Sequence, residues 1–244
     1  MTPTTRLQRR SRLAYGVLAA ATLAGARPAA SADAAHPTVV ELFQSQGCSS
    51  CPPANANVMA LAGRPDLLTL SWQVTYWDSL GWKDTFDDPA FTRRQYDYAA
   101  GFGRTNVFTP EVVVNGRSDV VGVERNELDA LIRSDDRGTD GPGVTIAGDH
   151  VTVSGTLPAA QTGAGITVLL VRYDPRIIQV PIRRGENAGR TLPHRNVVRE
   201  LVPLGSWTGG TRIYPLPAPR LPGLDTAVLV QGAGGGPIIA AARG

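Results

Sequence analysis

Residues 38–53, with the sequence TVVELFQSQGCSSCPP, constrain the fold more than any other stretch of the chain. The apolar first half of this segment is typical of a buried strand. Pro52 and Pro53 fit a helix only in its first turn, where the backbone N–H groups have no intrahelical partner to lose. The segment therefore predicts a buried strand, a short turn and then a helix, with Cys48 and Cys51 at the start of the helix.

Cys48 and Cys51 are the only cysteines of the 244-residue chain, and their C-x-x-C spacing admits more than one interpretation. Unpaired N–H groups and the dipole at a helix start stabilise a thiolate, so this position favours thiol–disulfide exchange. Cys48 is then the predicted nucleophile and Cys51 the resolving thiol, in an exposed pair that can close to a Cys48–Cys51 disulfide. A closed, inert disulfide is the alternative, although a bridge over so short a loop adds little stability.

A metal site needs more ligands than this pair supplies. The histidines are scattered along the chain, and none has a ligand-like spacing to the cysteines: His36, His150 and His194. We therefore predict no metal and no cofactor. A copper(I) chaperone that uses the two cysteines alone is a further alternative, because soft thiolate ligands select copper(I).

Residues 1–35 contain the parts of a secretory signal peptide in their usual order. Arginines precede an apolar run at residues 13–26, and Ala30, Ser31 and Ala32 form an A-x-A cleavage site. The apolar run is shorter than the roughly 20 residues that a spanning helix needs, so we expect no transmembrane segment after signal removal. The mature protein is expected in the periplasm or outside the cell, where disulfides persist.

The positive net charge of the chain belongs to this N-terminal segment. The chain carries +3 in total, and residues 1–32 contain five arginines and no acidic residue. The remainder therefore carries about −2. We predict no nucleic-acid partner, because a clustered basic surface is the usual footprint of such binding.

Local patterns predict two parts joined by a polar, glycine-rich linker at residues 134–143. In the first part, residues 36–137, strand, helix and turn signals follow the order β-α-β-loop-α-β-β-α. In the second, residues 138–244, short runs separated by glycine and proline predict a small antiparallel sandwich or barrel. Asn115 and Gly116 are expected to form the turn of a hairpin.

Thr109 and Pro110 are the predicted substrate-binding residues. An X-Pro bond directly before a strand is a candidate for the cis form. In thioredoxin-like folds such a proline packs against the C-x-x-C, and the backbone of the residue before it pairs with a bound peptide. The order of proline, strand, Asn-Gly turn, strand and helix resembles that arrangement. The expected fold class is therefore α+β, with a thioredoxin-like α/β/α domain followed by an antiparallel β-sandwich-like domain.

Five segments carry a more specific resemblance: VELFQSQGCSSCPPAN, YWDSLGWKDTF, RRQYDYA, VFTPEVVVNGR and GRTLPHRNVVREL. Together they resemble the domain-of-unknown-function family 1223 over about residues 38–240. The resemblance implies exported bacterial proteins with a thioredoxin-like domain, a β-rich region and a redox site at the two cysteines and Pro110. It implies no particular reaction. Members commonly have His and Asp where this chain has Gln73 and Thr75, which further disfavours a metal site.

Glu41 is the candidate for a proton shuttle to the cysteine pair. Thioredoxins carry a buried acid six residues before the first cysteine, where this chain has Leu42. Glu41 lies one residue further back, so it fits that role only if the loop to Cys48 is one residue longer. Otherwise Glu41 is a charge at a strand edge.

These features predict an exported thiol–disulfide oxidoreductase. Its expected substrates are the thiols or disulfides of cell-envelope proteins, or small disulfides, with a redox partner protein as a further candidate partner. The alternatives are a non-enzymatic secreted binding module with an inert disulfide and the copper(I) chaperone.

Overall fold

The computed structural model of the protein describes residues 1–2, 31–159 and 165–244. The predicted signal segment falls mostly on residues 3–30, outside the described residues. Within the ranges described, no helix combines the length and the apolar character that crossing a membrane requires.

The described residues form a mixed α/β fold with many strands and few helices. The strands are β1 (Thr38–Gln44), β2 (Leu67–Gln73), β3 (Glu111–Val114), β4 (Ser118–Val120), β5 (Gly143–Ala147), β6 (His150–Ser154), β7 (Ile166–Asp174), β8 (Ile178–Pro181), β9 (Thr191–His194), β10 (Val197–Ser206), β11 (Arg212–Pro215), β12 (Asp225–Gly232) and β13 (Ile238–Arg243). The helices are α1 (Cys51–Leu61), α2 (Pro89–Gly101) and α3 (Arg125–Ser134), with a short 3-10 turn at Asp78–Leu80.

Eight of the described strands form one mixed sheet in the order β13-β12-β7-β10-β2-β1-β3-β4. β1 and β2 are parallel, because the crossover through α1 returns the chain in the same direction. β10 joins the two predicted parts of the chain, since it pairs in parallel with β2 through Val197 and Ser71. The sheet thus passes through both parts and does not close into a barrel.

The first strands of this sheet carry helices on both faces. Successive side chains of a strand point to opposite faces, so each residue of β1 meets one helix layer or the other. Val40 and Leu42 pack with α1 and α3. Val39 and Phe43 pack with α2. This two-sided cover explains why β1 is apolar from Val39 to Phe43 except at Glu41.

The outer strands of the large sheet are covered by a second, three-stranded sheet with the order β11-β6-β5. Val151 and Val153 of β6 pack with Val168 of β7 and Val228 of β12. β8 and β9 pair only with each other and form a separate two-stranded hairpin. The second part of the chain thus supplies strands to three sheets.

The predicted Asn-Gly hairpin between β3 and β4 is confirmed. Asn115 and Gly116 have φ angles of 47° and 62°, in the left-handed region that such a turn requires. The Asn115 side chain also accepts a hydrogen bond from the N–H of Val39 at 2.8 Å and donates one to the carbonyl of Asp135 at 2.8 Å. The turn therefore connects β1 with the end of α3.

Candidate functional site

Cys48 and Cys51 form a disulfide, as their spacing predicted, with the Cα atoms 5.5 Å apart. β1 ends at Gln44, and the chain then turns so that the N–H of Cys48 donates to the carbonyl of Ser45 at 3.1 Å. Helix α1 begins at Cys51, followed directly by the two prolines of its first turn. Cys48 therefore lies just before the helix, and Cys51 lies inside its first turn.

Both cysteines are buried, which corrects the expectation of an exposed pair. The exposed fraction is 0% for Cys48 and 1% for Cys51, although Ser49 and Ser50 between them are exposed. Part of the cover comes from residues 178–194, which contain β8 and β9, contact the cysteine loop and α1, and are called the cap hairpin below. Local sequence around the cysteines could not predict this cover, because the cap hairpin belongs to a distant part of the chain.

Two consecutive residues of the cap hairpin hold the loop that carries Cys48. One carboxylate oxygen of Glu186 accepts hydrogen bonds from the backbone N–H and the hydroxyl of Ser49, at 3.1 and 2.7 Å. The buried amide of Asn187 donates to the carbonyls of Gln46 and Cys48, both at 2.9 Å. These contacts fix the backbone on both sides of Cys48.

The cap hairpin rests on the long loop at residues 74–88 that follows β2. Val180, Ile182 and Leu192 of the cap hairpin form a small apolar cluster with Trp82 of this loop, and Phe86 packs against the same cluster. Apolar contacts of this kind add to the hydrogen bonds that close the cap over the cysteines.

Asp84 supports the turn before Cys48 from the same long loop. Its buried carboxylate accepts hydrogen bonds from the N–H of Gln46 at 2.7 Å and the N–H of Phe86 at 2.9 Å. Burial raises the pKa of Asp84 to about 7, although these backbone hydrogen bonds lower it. In the sequence alone, Asp84 is indistinguishable from a solvated loop acid.

Thr109 and Pro110 lie at the edge of the sheet where β1 ends. The peptide bond between them is cis, as predicted. Glu111, the first residue of β3, is opposite Phe43 near the end of β1, so Pro110 lies at the same edge as the turn that leads to Cys48. The Thr109 hydroxyl accepts a hydrogen bond from the indole N–H of Trp77 at 2.8 Å, which ties it to the long loop.

Glu41 is not brought to the cysteines. It points to the α2 face of β1, where its carboxylate oxygens accept hydrogen bonds from Arg94 at 2.8 and 2.9 Å and also from the hydroxyl of Tyr98. Helix α1, which carries Cys51, packs on the opposite face. Glu41 is therefore half of a buried ion pair inside the α2 layer, and the geometry offers no support for a proton-shuttle role.

His194, at the end of β9, is a residue beside the pair that sequence reasoning missed. It lines a small cavity of about 50 Å³ together with Cys51, Gln44 and Asn55. Burial lowers the pKa of His194 to about 4. The only available signal was its place in the GRTLPHRNVVREL segment, since its spacing to the cysteines in sequence is long.

Metal binding finds little support in the side chains described. Across residues 31–159 and 165–244, no three side chains of the His, Cys, Asp and Glu types come together in a way that could hold a metal ion. The copper(I) chaperone therefore stays a prediction from the two cysteines alone.

Two solved structures are similar to the chain. One is the crystal structure of a structural-genomics target protein from Agrobacterium tumefaciens, at 31% identity and a TM-score of 0.66, covering 89% of this chain and 95% of that one. The other is HBP35 of Porphyromonas gingivalis, at 14% identity and a TM-score of 0.58, covering 88% of this chain and 76% of that one, which bears on the fold alone. No curated protein matches the chain.

A family model supplies the assignment. The model for the protein of unknown function family DUF1223 matches residues 39–231, a range that contains most of β1, the cysteine pair, Pro110, the cap hairpin and most of β12. The chain therefore belongs to the DUF1223 family.

Proposed function

We propose that this protein is a thioredoxin-like thiol–disulfide oxidoreductase that acts in the periplasm or outside the cell. The observation that carries the proposal is the Cys48–Cys51 disulfide, which connects the turn after a buried parallel strand to the first turn of α1. The cis Pro110 at the same edge of the sheet supports it. The signal-like N-terminal sequence supports the location, because disulfides persist in those compartments.

Cys48 is the nucleophile in this proposal. The free N–H groups at the start of α1 favour an anion nearby, and the Ser50 hydroxyl, 3.4 Å from the Cys48 sulfur, can donate a hydrogen bond to a thiolate. The thiolate attacks a substrate disulfide, forms a mixed disulfide and releases one substrate sulfur as a thiolate. Cys51 then attacks the Cys48 sulfur and releases the second substrate sulfur, so the substrate gains two electrons and the protein loses them.

Access to Cys48 requires movement of the cap hairpin, because both sulfur atoms are buried. The proposed substrates are thiols or disulfides of envelope proteins, or small disulfides, that approach along the edge formed by Thr109 and Pro110. A substrate that displaces Glu186 and Asn187 replaces their hydrogen bonds to the loop around Cys48 with its own.

A trapping experiment tests the proposal. The variant Cys51→Ala keeps the nucleophile and lacks the resolving thiol, so in the envelope of its own bacterium it is expected to accumulate mixed disulfides through Cys48. These appear on non-reducing gels as larger species that a reductant removes. The double variant with Cys48→Ala and Cys51→Ala is the matched control. If Cys51→Ala forms no species beyond those of the control, the protein is not an oxidoreductase of this kind.

The burial of both sulfur atoms favours a second candidate, a secreted binding module whose disulfide is inert. The reduction potential separates the two functions. Exchange catalysts span roughly −120 to −270 mV, whereas structural disulfides of secreted proteins have potentials below about −300 mV. Equilibration of the purified protein with glutathione or dithiothreitol buffers, read by thiol alkylation, measures this value.

A further inference from the structure

His194 is the one buried histidine of the described residues whose surroundings do not explain it. Its side chain is 1% exposed, and within residues 31–159 and 165–244 neither ring nitrogen has a hydrogen-bond partner. A neutral imidazole carries one donor and one acceptor, and leaving both unpaired in a buried position is unfavourable. Such groups in folded proteins generally have a functional or solvent-linked reason.

The lining of the cavity beside His194 includes the polar side chains of Gln44 and Asn55. Gln44 donates hydrogen bonds to Asn55 at 2.9 Å and to Ser71 at 2.8 Å, and Asn55 donates to the carbonyl of Pro193 at 2.7 Å. These hydrogen bonds connect Gln44 of β1, Asn55 of α1 and Pro193, the residue before His194, and hold them in place around the cavity. A cavity of about 50 Å³ has room for a water molecule, which requires two to four polar partners.

The imidazole also packs against the ring of Phe86, and the guanidinium of Arg199 lies over that same phenyl ring at 5.0 Å from its centroid. The ring of Phe86 meets His194 edge-on with the centroids 6.1 Å apart. Burial alone accounts for the lowered pKa of His194, with no contribution from a carboxylate or a cation. The ring is therefore neutral near pH 7, so it has a lone pair with which it can accept a proton.

We propose that His194 is the proton acceptor for Cys51 when Cys51 resolves the mixed disulfide, with the proton passing through a water molecule in the shared cavity. This inference rests on the proposed oxidoreductase function and names the group that activates its second step. Cys51 lies in the first turn of α1 and lines the small cavity. Among the described residues, His194 is the other titratable group in the lining of that cavity.

The step balances without a further reactant. The Cys51 thiol gives its proton to the imidazole, and the new thiolate attacks the Cys48 sulfur. The Cys48–Cys51 bond forms as the bond between Cys48 and the substrate breaks, and the electron pair leaves on the substrate sulfur. The imidazolium then returns its proton to solvent or to the departing thiolate. The negative thiolate beside it offsets the cost of a buried imidazolium while the charge lasts.

A two-phase reaction separates this role from the first step. The reduced protein mixed with excess Ellman's reagent releases one chromophore when Cys48 attacks and a second when Cys51 resolves. We expect His194→Gln to slow the second phase about 100-fold or more near neutral pH, the lower end of general acid–base effects. The first phase should change less than twofold, and the difference should shrink above about pH 9, where solvent ionises the thiol. The matched control His150→Gln, at a half-buried position of β6, should leave both phases unchanged.

Chemical rescue by imidazole and the pH dependence of the second phase distinguish loss of a proton acceptor from a simple packing defect. His194→Ala leaves space at the site, so added imidazole should restore its second phase and should not affect that of the wild type. If both phases slow equally, or if imidazole restores nothing, His194 is a packing residue and the inference is wrong. If neither variant folds, the pH dependence of the second phase in the wild type tests the inference. A second-phase rate that rises in proportion to hydroxide concentration up to about pH 8.5 excludes an internal proton acceptor for Cys51. Failure of the first phase in the wild type would instead refute the proposed function.

Discussion

Some single residues near the cysteines carry ionisable groups that the fold buries away from water. Asp84 is the clearest example, because its carboxylate is buried under the turn at Gln46 and its pKa is raised to about 7, mainly by burial. In the unfolded chain the same group ionises near its ordinary value of 3.8. The folded state thus holds a proton over a pH range in which the unfolded state has released it.

The stability of the protein should therefore depend on Asp84. Its stabilising contribution is complete below the unfolded pKa and is lost as pH rises through about 7. Between about pH 5 and about pH 8 the wild type should lose roughly 3 kcal/mol of unfolding free energy relative to Asp84→Asn. Urea unfolding of both proteins at the two pH values measures this. Parallel losses in wild type and variant would show that Asp84 does not titrate in this range.

The roles of residues that depend on neighbours in the sequence could be predicted. The roles of residues that depend on contacts with distant segments could not. The Cys48–Cys51 bond and the cis bond before Pro110 follow from spacing and from proline chemistry within a few residues. Glu41 pairs with Arg94, 53 residues away, and the cavity of His194 joins segments more than 130 residues apart. No local pattern carries that information.

At the level of elements, the cap hairpin lies against the loop that carries the disulfide. Among the strands that the structure describes, β8 and β9 pair only with each other, so the position of the hairpin over the C-x-x-C depends on side-chain contacts rather than on a sheet ladder. The polar contacts include two hydrogen bonds from Ser49 to Glu186, two from Asn187 to backbone carbonyls and one from Asn55 to the carbonyl of Pro193. Elements held in this way are drawn from the less stable regions of a fold, which open locally.

Removal of these contacts should expose the disulfide. Asn187 makes two buried hydrogen bonds that contribute about 1 kcal/mol each, so the double variant Glu186→Ala with Asn187→Ala should open the cap hairpin more easily by roughly 2 kcal/mol from the loss of the Asn187 bonds alone. We expect reduction by dithiothreitol to accelerate about 30-fold or more. The variant Arg183→Ala, at an exposed position of the same hairpin, is the control. An unchanged rate in the double variant would mean that access to the sulfurs does not run through the cap hairpin.

At the level of the whole molecule, a single strand contact makes two predicted parts into one sheet. Asn196, which precedes β10, has a φ of 51° and donates from its side chain to the carbonyl and hydroxyl oxygens of Thr69 at 2.9 and 2.8 Å. Its carbonyl accepts from the N–H of Ser71 at 2.9 Å. The sequence pattern predicted the strands of both parts but not this junction, because parallel pairing between distant strands leaves no local signature.

The junction should make unfolding cooperative. Asn196→Ala loses two buried hydrogen bonds and places alanine in a left-handed backbone conformation that asparagine tolerates better. We therefore expect the free energy of unfolding to fall by about 2–4 kcal/mol. Asn196→Gly keeps the backbone conformation and should lose less. Urea curves followed by tryptophan fluorescence and far-ultraviolet circular dichroism should coincide in the wild type. Two separate transitions there would mean that the parts unfold independently despite the shared sheet.

The cysteine pair is synthesised well before the hairpin that covers it. Asn187, which closes the cap, lies 139 residues after Cys48. A ribosome adds residues at about 5–20 per second, so roughly 7–28 s of synthesis separate the cysteines from their cover. During that interval the nascent chain presents both thiols without the hairpin, and any oxidant that meets them acts on an open loop. The disulfide can therefore form during synthesis, before the cap hairpin lies over the two cysteines.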